Sequence, residues 1–365
     1  MTQNNVKARK EPLFHVVKKT EVSFSKNMLL TLLALLLALV AGGIFILAIG
    51  HNPIKIYQSI FQGAWRSKLA VRGTIKIAIP LLIASLGITP AFQMKFWNIG
   101  AEGQIIMGGI FATYFALFFD HLPHGLLILL MFAAGIIGGG LWGLIPAYFK
   151  TKFNTNETLF TLMLNYIALY TIKFLTEGPW RDPKSSGFPK IASFTENARL
   201  DLLFGVHAGW LIGLILVVVI FIYIKFTKQG YEISVVGEST NTARYAGMNV
   251  KKIVMRTMFL SGAICGIAGM TQVGGAAFTL GEGIAGGVGF TAIIVAWLSK
   301  LNPIVILIVS VLFAMLEKGC SVMQSTFGLS ASVSSILQGI ILFFILAFDF
   351  FTRYRFVIRR KESAL

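Results

Sequence analysis

The sequence predicts an all-α integral membrane protein with about ten transmembrane helices, some of them broken or re-entrant. Of its 365 residues, 56% are hydrophobic and only 13% are charged, whereas about a quarter of the residues in soluble domains are charged. Apolar runs close to 20 residues long recur along the whole chain, and this length matches the ~30 Å hydrocarbon core of a bilayer. The composition therefore excludes an ordinary soluble protein.

The apolar runs define the predicted spans one after another. The first run follows a polar, basic segment and is too long for the apolar part of a signal peptide, so we expect it to be retained. The ten spans are expected at residues 28–50, 74–94, 100–119, 125–149, 157–176, 209–226, 257–276, 287–300, 303–318 and 334–351.

The basic residues orient this predicted topology and account for the net charge of +17. An even number of spans puts both termini on one side, and the basic residues of both tails make that side cytoplasmic. On this topology 21 of the 32 Lys and Arg residues are cytoplasmic. Residues 54–76 would place five basic residues outside. The apolar residues of this segment recur at helical spacing, which predicts a helix lying along the outer interface. No segment has the character of a nucleic-acid-binding domain.

The chain is thus divided into three predicted parts. Residues 1–27 form a cytoplasmic basic segment, residues 28–351 form the transmembrane domain, and residues 352–365 form a cytoplasmic basic tail. Within the transmembrane domain, residues 177–207 form a predicted extracellular loop with three prolines and mixed charge. Both an ordered cap over a pathway and an ordinary connector fit that loop.

Residues 227–256 form a cytoplasmic loop that is longer than a turn requires. Residues 239–246 lack Gly and Pro and are bracketed by Gly237 and Gly247, which predicts a short helix with a glycine break at each end. This helix is too polar to enter lipid, and both a coupling element and a charged connector fit it. It would present to the cytosol Glu238, Asn241 and Arg244.

Polar residues interrupt the apolar runs near Glu102. A charge at mid-bilayer costs ~2.5–3.5 kcal/mol on insertion scales, so Glu102 should face protein or a water-filled cavity. Gly100 and Gly103 permit a broken helix, and Asn98 and Gln104 can hydrogen-bond a polar solute. An internal packing network explains the same residues equally simply.

Two further polar features lie along the predicted spans. Asn165 lies eight residues inside the span that begins at Glu157 and should find a partner across a helix interface. The segment from Leu280 to Phe290 includes Glu282 and has five glycines in nine residues, which allows a re-entrant turn. It lacks the Gly-Lys-Ser/Thr ending of a phosphate loop, and the chain has no Walker motif.

The sequence offers no catalytic or metal-ligating constellation. The five histidines fall in the N-terminal segment or in predicted outer loops without metal-ligand spacing. Cys265 and Cys320 lie in or beside apolar stretches, where we expect them to be packing residues.

Several motifs, in the same order, resemble the permease subunits of bacterial nucleoside ABC importers that use a BMP-type lipoprotein. These belong to the branched-chain amino acid, simple sugar and nucleoside permease class, and the resemblance covers roughly residues 28–350. Thr242 departs from the alanine that the family often has there. The matching motifs are Pro80 through Gln104, Asn156-Glu157-Thr158, Leu162 through Tyr166, Gly178-Pro179-Trp180, Gly187-Phe188-Pro189, Gly237, Ala243-Arg244, Ala246-Gly247, Ser261-Gly262-Ala263, Gly289 through Ile293 and Leu301-Asn302-Pro303.

The resemblance implies a translocation subunit, not an enzyme, that moves nucleosides into the cell by alternating access. It implies a multi-pass protein of the bacterial plasma membrane, in contact with lipid and without a cofactor of its own. The implied partners are a second homologous permease, two nucleotide-binding domains that use ATP and Mg²⁺, and an extracellular substrate-binding lipoprotein. A sugar permease of the same class and an ion-coupled secondary transporter are the alternatives.

Two groups of residues are the candidates for function. The expected substrate pathway comprises Asn98, Glu102, Gln104, Asn165, Glu282 and Phe290. The expected coupling residues toward the ATPase are Gly237, Glu238, Ser239, Asn241, Ala243, Arg244, Ala246 and Gly247.

Overall fold

The structure, a computed structural model, describes residues 14–18, 24–185 and 187–358, and helices dominate it. They follow the apolar runs, because a helix is the element that satisfies its own backbone within lipid. The helices are α1 Phe24–Ala48, α2 Pro53–Trp65, α3 Lys68–Gln93, α4 Ala101–Phe118, α5 His124–Phe153, α6 Glu157–Glu177, α7 Gly209–Phe226, α8 Lys228–Glu238, α9 Thr240–Tyr245, α10 Val250–Gln272, α11 Val288–Leu298, α12 Pro303–Phe327 and α13 Ala331–Arg353.

A helix is present at each of the ten predicted spans, but not every helix is long enough to cross a bilayer. Among the described residues, seven helices have the length and composition of a membrane span, and an eighth span is formed if the bent pair Leu36–Ala48 and Pro53–Trp65 counts as one. The helix axis bends by 117° between these two segments. The complete spans are α3, α4, α5, α6, α7, α10 with its extension to Ala277, and α12.

The expected span at residues 287–300 is not a complete one. Helix α11 has 11 residues and therefore rises only ~16 Å at 1.5 Å per residue, about half the hydrocarbon thickness. The glycines before it form turns instead of a further helical stretch. This part of the chain is thus the broken kind of segment that its glycine content also predicted.

The contacts divide the chain into two compact units, and the first contains residues 14–18, 24–60 and 320–358 of the described chain. In this unit α1 packs on α13, and the Tyr57 hydroxyl donates to the Leu39 carbonyl at 2.7 Å.

Two short antiparallel strand pairs are exceptions to the helical prediction. Strand β1 (Phe14–Lys18) pairs with β4 (Tyr354–Ile358), while β2 (Leu202–Leu203) pairs with β3 (Val206–His207). The first pair places the segments before α1 and after α13 side by side. The location of both termini on the cytoplasmic side of the membrane stays a prediction.

The second unit, residues 61–319, is built around α10, which packs against α3, α4 and α5. It approaches α5 closely, since a Cβ at Gly266 would lie only 2.0 Å from the Gly135 carbonyl oxygen. Small residues allow such backbone contact between membrane helices, where packing drives association. Both cysteines are buried, as expected for packing residues.

The loop between α6 and α7 folds onto the end of α10. There α10 continues into a π-helical turn, Val273–Ala277, and the Leu200 N–H donates to the Gly274 carbonyl at 2.8 Å. The Phe194 N–H likewise donates to the Phe278 carbonyl at 2.8 Å, and the Phe194 side chain is buried. The loop is therefore packed onto the helical core, and a role as a cap over a pathway stays a prediction.

Candidate transport and coupling sites

A buried amide pair stabilises the break between α3 and α4. Asn98 and Gln104 exchange two amide hydrogen bonds, each at 3.2 Å, and Asn98 Nδ2 also donates to Ser261 Oγ on α10 at 3.1 Å. All three side chains are almost fully buried. In a water-free interior such side chains are costly unless paired, so this pairing fixes the break against α10.

Two side chains of α6 supply partners for the backbone of the same break. Asn165 Oδ1 accepts from the Gly103 N–H at 2.9 Å, and Asn165 Nδ2 donates to the Ile99 carbonyl at 2.9 Å. Thr161 Oγ1 accepts from the Ile99 N–H at 3.2 Å. The start of a helix leaves N–H groups without intrahelical partners, and within a membrane these need protein partners. Asn165 and Thr161 therefore replace the missing backbone hydrogen bonds.

The carboxylate of Glu102 joins the beginnings of two helices. Glu102 lies in the first turn of α4, and its Oε1 and Oε2 accept from the N–H groups of Gly287 and Gly289 at 2.8 and 2.7 Å. These two residues open α11. The amino end of a helix carries a partial positive charge that favours an anion, so the N-termini of α4 and α11 both stabilise this carboxylate. These partners offset the cost of burying the charge.

Aromatic side chains form a half-exposed face beside the break. The rings of Trp97 and Trp297 stack with centroids 5.5 Å apart and an interplanar angle of 17°, and Phe92 packs against both. Trp97 is 45% exposed and Phe290 is 42% exposed. Phe290 precedes Trp297 by seven residues on α11, so both lie on one side of that helix.

The polar loop between α7 and α10 contains two helices instead of the one predicted. The short helix α9 begins after Ser239, whose Oγ accepts from the Thr242 N–H at 3.2 Å. It ends before Gly247, which adopts φ +75°, the left-handed conformation that commonly closes a helix. The expected break at Gly237 is wrong, because Gly237 lies inside α8. A Cβ there would lie 2.1 Å from the Gln93 carbonyl oxygen, so glycine serves a close approach to α3.

This pair of helices has a buried base and an exposed tip. Val236 and Ala243 are buried in a cluster with Met94 from the end of α3, and Arg256 of α10 forms an ion pair with Glu232 of α8 at 2.9 Å. The exposed residues of the tip are Glu238, Thr240, Asn241, Thr242, Arg244, Tyr245, Ala246 and Gly247. A displacement of the tip would thus be transmitted through the base to α3 and α10.

The family is shown by comparison with known proteins. A family model described as the branched-chain amino acid transport system permease component matches residues 71–346. This chain belongs to that family. The permease is 30% identical to the glucose ABC transporter permease protein TsgB13 of Haloferax volcanii, over 88% of each chain. It is 30% identical to the guanosine ABC transporter permease protein NupP of Bacillus subtilis, over 87% of this chain and 93% of NupP.

A third relative is the nucleoside ABC transporter permease protein NupB of Lactococcus lactis. It is 28% identical over 88% of this chain and 91% of its own length. The chain is therefore a multi-pass permease of an ABC transporter, a translocation component. This membership favours ATP-driven transport over the ion-coupled alternative.

The structure places the expected pathway residues of the permease in three settings. Asn98, Glu102, Gln104 and Asn165 share one polar cluster, in which each bonds to backbone or to another side chain. Phe290 adjoins this cluster through Gly289. Glu282 is exposed in the loop before α11 and has no hydrogen-bond or ion-pair partner among the residues that the structure describes.

Sequence reasoning missed several residues of these sites. Thr161 and Ser261 complete the polar cluster, Trp97 and Trp297 form the aromatic face, and Tyr245 is 94% exposed beside Arg244. Trp97, Ser261 and Tyr245 lie within motifs or loops that were already singled out. Trp297 carried no signal of its own, since an aromatic residue in an apolar run is usually a packing residue.

Proposed function

We propose that this permease imports nucleosides and that the aromatic face formed by Trp97, Trp297 and Phe290 receives the base. The half-exposed Trp97–Trp297 stack beside a polar break carries the proposal. A nucleobase offers a flat aromatic surface to such a wall, and base–aromatic stacking contributes about 1–3 kcal/mol in proteins. The names of NupP and NupB, a guanosine and a nucleoside permease, support the same substrate class.

In this proposal the polar cluster shapes the pathway, while the exposed residues contact the solute. The amides of Asn98, Gln104 and Asn165 and the Glu102 carboxylate already have protein partners. The amides fix the break between α3 and α4, and Glu102 joins the beginnings of α4 and α11; together they keep Trp97 and Phe290 at the surface. Glu282, exposed in the loop before α11 and without a partner among the described residues, would be open to a ribose hydroxyl.

The proposed partners follow from the exposed surfaces and the family. A second homologous permease would cover the aromatic face, an extracellular substrate-binding lipoprotein would deliver the solute, and two nucleotide-binding domains would supply ATP hydrolysis with Mg²⁺. Movement of those domains would displace the α9 tip and, through its buried base, the end of α3. The pathway would then alternate between its two openings, in a bacterial plasma membrane.

Glucose transport is the second candidate, because TsgB13 is as similar to this chain as NupP is. A sugar ring can also pack against an aromatic wall. The two candidates differ in how strongly they depend on the flat surface of Trp97.

The test is uptake of labelled guanosine and labelled glucose by cells depleted of the chain and then complemented. Wild type should restore guanosine uptake, and Trp97→Ala should reduce it about tenfold or more, as expected from the loss of one stacking partner. Trp97→Phe, which keeps a flat ring, is the matched control and should retain most uptake. Restoration of glucose but not guanosine uptake would replace the nucleoside assignment by the sugar alternative.

Coupling is tested separately, with variants of the α9 tip. Arg244→Glu and Tyr245→Ala should abolish uptake while the amount of permease in the membrane stays at the wild-type level, since neither side chain has a hydrogen-bond or ion-pair partner among the described residues. Tyr231→Ala, an exposed tyrosine on α8, is the control and should transport normally. Normal uptake by Arg244→Glu would refute coupling through this tip.

A further inference from the structure

A cavity of 630 Å³ lies where α3 and α7 begin, away from the transport and coupling sites. Three cations line it: Arg66, Lys68 and Arg72. Three aromatic side chains line it as well, and its remaining wall is largely aliphatic. The aromatic residues are Trp65, Phe204 and Trp210.

The cations of this cavity lack counter-charges. None of the three has an ion-pair or hydrogen-bond partner from another side chain among the described residues. Lys68 and Arg72 lie one helical turn apart on α3, where like charges repel, and Lys76 extends the row by another turn. Gly205, at φ +81°, lets the β2–β3 hairpin approach Arg72, because a Cβ there would lie 2.3 Å from the guanidinium carbon. The fold thus holds Arg72 at the cavity and leaves its charge uncompensated.

The depth of the cavity corresponds to the interface between lipid and water. Helices α3 and α7, both membrane spans, start at this end, and the lining residues of α3 lie within its first two turns, ~11 Å of rise. Tryptophan is enriched at that level, where its ring meets both headgroups and acyl chains. On the predicted topology these basic residues lie on the outer side, where Lys and Arg are usually depleted, so an anionic ligand would stabilise them there.

We propose that this cavity binds the phosphate of an anionic phospholipid, with its acyl chain against the aromatic and aliphatic wall. The cations bind the phosphate. The apolar lining contacts an acyl chain, which a free anion lacks. A nucleoside carries no charge, so three cations do not fit the transported solute. An acidic protein surface would match the charge and leave the apolar wall without a partner.

The experiment is a lipid titration of the full-length purified chain, followed by native mass spectrometry. Phosphatidylglycerol and phosphatidylcholine are compared on wild type, on Arg66→Gln/Lys68→Gln/Arg72→Gln and on the single variant Arg72→Gln. The control, Arg181→Gln/Lys184→Gln/Lys190→Gln, removes three exposed charges from the loop between α6 and α7. A further arm adds inorganic phosphate and glycerol 3-phosphate to wild type loaded with phosphatidylglycerol.

Wild type and the control are expected to bind phosphatidylglycerol at about tenfold lower concentration than phosphatidylcholine, since each basic residue near the surface contributes modestly to anionic-lipid binding. The triple variant should lose this preference, and Arg72→Gln should lose part of it. Equal preference in the triple variant and the control overturns the proposal. Displacement by the soluble phosphates assigns the cavity to a free anion instead. No lipid preference in wild type likewise overturns the proposal.

Discussion

Replacing Glu102 by Gln tests whether one carboxylate holds the beginnings of α4 and α11 together. The change keeps the shape of the side chain and removes its charge and one of its two acceptor oxygens. In the structure both oxygens are used, by the N–H groups of Gly287 and Gly289 at 2.8 and 2.7 Å. The glutamine amide can accept one of these hydrogen bonds but not both.

The expected loss follows from those two bonds. A hydrogen bond to a charged group contributes about 1.5–3 kcal/mol and a neutral one about 1 kcal/mol. The variant loses one charged bond, weakens the other and leaves one N–H unpaired, while a neutral amide costs less to bury than a carboxylate. The net expectation is a free energy of unfolding lower by about 2–3 kcal/mol.

The assay is unfolding by dodecyl sulfate in mixed micelles, followed by tryptophan fluorescence. Glu282→Gln is the matched control, because Glu282 is exposed and surface substitutions usually change stability by less than about 0.5 kcal/mol. If Glu102→Gln unfolds within about 0.5 kcal/mol of wild type, the carboxylate does not join the two helices and the reasoning is refuted.

Two further predictions concern close packing and pH. Gly237→Ala should lower the free energy of unfolding by about 1–3 kcal/mol and reduce uptake, because its Cβ would lie 2.1 Å from the Gln93 carbonyl oxygen. The control is Gly283→Ala, which has open space around it. Equal effects of the two substitutions would contradict the close approach. Burial, with a smaller contribution from the charge of Lys76, lowers the pKa of His207 from 6.5 to about 4. Between pH 4 and 6.5 the unfolded chain therefore binds more protons at this histidine than the folded chain does. The contribution of His207 to the free energy of unfolding is complete above pH 6.5 and falls by about 3 kcal/mol as the pH approaches 4. His207→Gln should remove that part of the pH dependence of thermal unfolding in detergent, and an unchanged profile would contradict the assignment.

Most helices could be predicted from the sequence, because hydropathy is a local property. An apolar run of about 20 residues specifies a membrane helix wherever its partners lie, and a helix stands at each predicted position. The short helix α9 was similarly predicted from the lack of Gly and Pro at residues 239–246 and from Gly247 at its end, since these signals depend on neighbours within a few residues. The length of α11 was overestimated because glycines within an apolar run do not reveal where the helix begins.

The sites were only partly predictable, because their partners are distant in sequence. Glu102 stood out as a charge between apolar runs, yet its acceptor role depends on Gly287, which is 185 residues away. Asn98 was identified as polar at depth, while its partner Ser261 lies 163 residues away. Periodicity and composition contain no information about such pairs.

The sequence by itself determined that this protein is a multi-pass helical permease and where its polar interruptions and its polar loop at residues 227–256 fall. The tertiary structure decided that the polar residues at the α3–α4 break bond mainly to one another and to backbone, leaving Trp97 and Phe290 exposed. It also decided that Gly237 serves a close helix approach instead of a helix end. The physical reason is that a charge or an amide inside a membrane must find a partner, and only the packed helices determine which one.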